Sequence, residues 1–75
     1  MMNDEGSEVA RLREQIEREC QAMNLALYGY AEVAKHQIIN ARYSAIGKAE
    51  EQLAIIVGEE EASQIVTEVY TKVIG

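Results

Sequence analysis

Glu32 and His36 stand four residues apart, with Asn40 four further on, so on a helix a carboxylate, an imidazole and an amide point to one side. A carboxylate and a neutral imidazole sharing a face make half of a metal site of the kind two helical subunits can complete. The spacing speaks against that use, because the di-metal motif of helical bundles is Glu-x-x-His and needs further glutamates from facing helices. A helical projection also sets Glu32, His36, Asn40 and Glu51 on the polar side of their segment, where an exposed ion pair is the expected outcome. Glu32 and His36 therefore stand as weak metal candidates, and no cofactor is expected.

Other chemistry is thinner. Cys20, the single cysteine, excludes an intrachain disulfide, and with His36 the single histidine it cannot complete a structural zinc site of four ligands. It sits between Ile16 and Met23 in an apolar stripe, with only Arg18 near enough in sequence to lower its pKa, and reads as a small buried hydrophobe. Asp4 is the sole aspartate, so no Ser/His/Asp nucleophile set assembles, and no glycine-rich phosphate loop occurs. An enzyme is not expected.

The elements that must position these residues are helical. The chain has 75 residues, no proline and five glycines. Gly6 and Ser7 read as the entry to a first helix, with residues 1–6 as a disordered tail ahead of a single helical domain over 7–75. Gly58 separates Leu53-Ala54-Ile55-Ile56-Val57 from Glu59-Glu60-Glu61, three carboxylates suited to the positive end of a new helix dipole. The segment after it is rich in β-branched residues, yet its apolar pairs Ile65-Val66, Val69-Tyr70 and Val73-Ile74 recur every four residues, which a helix face allows and strand alternation does not.

Upstream, one apolar stripe runs through Val9, Leu12, Ile16, Cys20, Met23, Leu27, Tyr30, Ala34, Ile38, Ala41, Ala45, Ala49, Leu53 and Ile56 at about 3.6 residues per step. It crosses Gly29 in phase. Two architectures fit: a central helix continuous with, or kinked at Gly29 from, the N-terminal helix, which would be roughly 75 Å long; or a three-helix bundle turning at Tyr28-Gly29-Tyr30, with helices near 7–28, 30–57 and 59–74. Both are all-α, and both leave the central helix in need of neighbours.

Net charge is −3 over residues 1–29, zero over 30–57 and −3 over 58–75. The apolar arc of the central segment spans roughly 200°, against the ~100° of an ordinary surface helix, and Ala41, Ala45 and Ala49 add a smooth strip suited to close helix approach. So short a chain usually needs a disulfide, a metal or a second subunit. The expectation is a small helical bundle completed by oligomerisation, with Ile16, Met23, Leu27, Tyr30, Ile38, Ala41, Ala45, Ala49 and Leu53 at subunit contacts.

Seven basic against thirteen acidic residues, net −6, argue against direct nucleic-acid binding, which runs on clustered Lys and Arg. No apolar run approaches the ~20 residues of a membrane span, and the acidic start Met-Met-Asn-Asp-Glu is unlike a signal peptide, so a cytoplasmic protein is expected. The function expected is a small acidic, self-associating protein–protein interaction module of structural or adaptor type. One alternative is an acidic inhibitor or regulator on a basic surface of a larger enzyme or nucleic-acid-binding protein; another is a ligand- or metal-binding bundle.

Overall fold

A computed structural model of the chain describes the backbone of residues 4–29 and 31–75 and the side chains of residues 6–29 and 31–75. Three helices carry nearly all of it: α1 (Asp4–Gly29), α2 (Glu32–Val57) and α3 (Glu59–Val73). Tyr30 lies outside the described residues. Of the expected tail, residues 4–6 are helical, so α1 starts upstream of Ser7, and residues 1–3 lie outside the description.

Interhelical ion pairs give the directions. Arg13 and Lys72 pair with Glu68 and Glu17, so an advance of four along α1 matches an advance of four along α3 and the two run parallel. Arg42 of α2 reaches Glu19 of α1 at 2.8 Å. With all three helices packed on one another inside an envelope of 47 × 19 × 18 Å, the chain is an up-down-up bundle. The continuous-helix architecture is excluded, since ~75 Å of helix does not fit that length. α1 and α2 each turn an apolar face toward the same core, Ala49 and Leu53 of the stripe being buried while Ala41 is exposed.

That core is Leu12, Ile16, Cys20 and Met23 from α1, Ile46, Ala49 and Leu53 from α2, and Ala62, Ile65 and Val69 from α3. The spacing of 62, 65 and 69 is one helical face. Burying it outweighs the weak helix propensity of Ile and Val, which is below about 0.7 kcal/mol per residue.

Gly58 makes the second reversal alone. Its φ of 94° and ψ of 158° belong to a region that residues with a Cβ avoid. From there its N–H donates to Ala54 O at 2.9 Å, closing α2, while its carbonyl accepts from Ala62 N at 3.0 Å, opening α3. No side chain caps α3; Glu59, Glu60 and Glu61 occupy its first turn and supply negative charge at the dipole's positive end.

Candidate functional site

α3 is shorter than the helices it covers. Fifteen residues make about 22 Å of helix, against about 39 Å for each 26-residue helix of the α1–α2 hairpin. From the register of the ion pairs, α3 lies beside the first half of α1 and the second half of α2. The last ~17 Å of hairpin, around residues 20–41, is left as two helices.

The arc of α2 divides accordingly. Over residues 43–57 its buried residues Ile46, Ala49 and Leu53 pack within the chain, between α1 and α3. Ile16, Ala49 and Leu53 are fully buried and Met23 nearly so, all four in the chain's own core. Their packing partners include residues of all three helices of the same chain. Leu27, at 40% exposure, Ile38, Ala41 and Ala45 keep accessible surface, and Tyr30 is outside the described residues.

Of six large hydrophobic residues left exposed among the described residues, five lie from residue 25 to residue 43: Leu25, Leu27, Tyr28, Val33 and Tyr43. Leu25 and Val33 fall off the apolar stripe, and sequence periodicity passes over them. A different signal marks the region: between Glu19 and Arg42 the chain carries only two charged residues, Glu32 and Lys35, of opposite sign. The other uncharged runs, 43–47, 52–58 and 62–67, are each seven residues or shorter.

Where α3 ends, Met23 and Leu27 of α1, Ile39 and Tyr43 of α2, and Tyr70 and Ile74 line a small recess of about 50 Å³. The Tyr43 and Tyr70 hydroxyls stand 3.4 Å apart across it. Tyr70 has its pKa raised, first by this hydrogen bond and then by partial burial. Cys20 lies buried below; burial pushes its pKa up, with Glu19 and Glu17 adding to the rise, so the thiol stays protonated and a poor nucleophile.

Glu32 and His36 do face one another, at 3.6 Å, but both are exposed and Lys35 approaches the same carboxylate at 3.8 Å. Among the described residues no three His, Cys, Asp or Glu side chains converge around a possible metal position. The charged residues of α1 divide: Glu8–Arg11 and Glu14–Arg18 pair along the helix, whereas Arg13, Glu17 and Glu19 reach across to α3 and α2. At the opposite end of the bundle, an open groove of about 370 Å³ between α2 and α3 is lined by Gly47, Glu50, Glu51, Ala54, Glu59 and Ser63.

Among the described residues no helix is long and apolar enough to cross a membrane. No protein-family model, curated protein or solved structure matches the chain, so the geometry alone bears on what it does.

Proposed function

We propose that the protein is a self-associating protein–protein interaction module whose binding element is the two-helix end of the α1–α2 hairpin. The observation that carries this reading is the segregation of surface: exposed Leu25, Leu27, Tyr28 and Val33 lie within the stretch between Glu19 and Arg42 that holds only two charges, and exposed Tyr43 lies at its edge, on a chain of net −6. Scattered single hydrophobes are ordinary on a protein surface, whereas a group at one end of a bundle marks a contact site. The three-helix part of the bundle is braced by ion pairs between its helices. Analytical ultracentrifugation tests the reading: a mass above the 8.4 kDa of one chain, rising with concentration, is expected, and a monomer throughout overturns it.

A second reading draws on the groove of Glu50, Glu51 and Glu59, whose carboxylates suit a basic surface on a larger protein. Binding by that route weakens steeply with salt. Capture of a basic partner that Glu59→Gln with Glu60→Gln leaves unchanged, or that high salt leaves unchanged, removes this reading.

A further inference from the structure

Resting on the self-association reading, we infer that the track along the hairpin left open beyond the end of α3 is occupied by the hairpin end of a second copy, in a two-fold antiparallel dimer. Three observations lead there. The first is length. α3 stops about 17 Å short of the hairpin's end, and a hairpin end from another copy is itself about 17 Å long, so each fills the other's gap up to the other's α3.

The second is charge. A two-fold interface brings a patch against itself, which an acidic surface resists and a neutral one permits. With Glu32 and Lys35 as its only charges, the stretch between Glu19 and Arg42 is the part of this −6 chain that meets its own copy without repulsion. A strongly basic partner would find its complement at the acidic end instead.

The third is shape and chemistry. The recess of Met23, Leu27, Ile39 and Tyr43 lies where Ile74 closes α3, on the path a longer third helix would take. Tyr28 extends it one step round α1 at 85% exposure. The overlapping strip is no wider than the 19 Å bundle. That is a small interface by the standard of stable complexes, so the dimer exchanges with monomer at micromolar concentration.

Sedimentation equilibrium from about 1 to 500 µM tests the inference. The wild-type chain should move from 8.4 kDa toward twice that mass. Leu27→Glu, and independently Tyr28→Glu at a more exposed position that leaves folding intact, should each weaken association by at least about tenfold. Ala41→Glu is the control: Ala41 lies two residues before Tyr43, hence on the opposite flank of α2, and should leave the mass profile unchanged. Helicity by circular dichroism at the lowest concentration separates loss of association from loss of fold. A wild-type monomer overturns both the function and this inference. Association that survives Leu27→Glu and Tyr28→Glu but fails in Ala41→Glu overturns this inference alone and moves the contact to the alanine flank.

Discussion

Tyr43 and Tyr70 place their hydroxyls 3.4 Å apart and tie the middle of α2 to the last turn of α3. This is the level at which the bundle changes from three helices to two. On one side the apolar surface of the hairpin is covered by Ala62, Ile65 and Val69; on the other it is open.

The same pair sets a pH response. Tyr70 and Cys20 both have pKa values raised in the folded chain, Tyr70 chiefly by its bond to Tyr43 and Cys20 chiefly by burial. On unfolding each loses its proton at the lower, ordinary value, so above that value the unfolded state binds fewer protons and is favoured. Their stabilising effect is complete below pH ~8.5, the ordinary thiol value, and is lost as pH rises through each folded value. Urea midpoints from pH 7 to about 11 should therefore fall above pH ~9, and Tyr43→Phe should flatten the later part of the fall. Midpoints that stay level would contradict the assigned environments. Cys20 should also resist thiol reagents until the chain is unfolded.

Glu19 and Arg42 supply the strongest polar link between α1 and α2, at 2.8 Å with Glu19 largely covered. Arg42 is still partly exposed, which screens the pair, so Glu19→Ala should cost about 1 kcal/mol, below the range for fully buried charged hydrogen bonds. For a chain of this size that corresponds to a melting temperature lower by roughly 4–8 °C at fixed protein concentration. The exposed pair Glu14–Arg18, by contrast, should be removable with no measurable change.

Two glycines should respond to alanine in opposite directions. A Cβ at Gly47 meets nothing within 4 Å, and as an interior position of α2 it should gain about 0.5–1 kcal/mol in Gly47→Ala from lower unfolded-state entropy and better helix propensity. Gly58 has equal space but holds φ at 94°, so Gly58→Ala should lose about 1–3 kcal/mol through backbone strain. Thermal melts of both variants give the signs. Equal effects would show that space rather than dihedral angle governs the turn.

The all-α class, the Gly58 boundary and the helical nature of residues 59–73 were legible in the sequence because each rests on local rules: periodicity, glycine and first-turn carboxylates. The turn after Gly29 was legible only as one of two open architectures. Gly29 does not adopt positive φ, and Ala31, extended at φ −62° and ψ 157°, is no sequence marker of a turn. What the apolar residues pack against was not legible for a related reason. Apolarity identifies Ile16 or Leu53 as a residue that seeks a neighbour, but which neighbour depends on pairing between distant segments, and here α3 supplies it. The cross-helix ion pairs depend on that same register, so no spacing in the sequence reveals Arg13–Glu68.

Leu53 and Ile55 show how sharply register divides similar residues. Both lie in the apolar run before Gly58, yet Leu53 is fully buried against the core while Ile55, about 200° further round the helix, is 85% exposed. Leu53→Ala should cost roughly 2–5 kcal/mol in transfer and cavity energy. Against a total stability of roughly 4–11 kcal/mol for 75 residues, this brings the chain to the edge of unfolding. Ile55→Ala touches no core contact and should stay within about 0.5 kcal/mol of the parent. Urea unfolding followed by circular dichroism separates the two, and comparable losses at both positions would mean that α2 is rotated from the orientation described, with a different face toward α1 and α3.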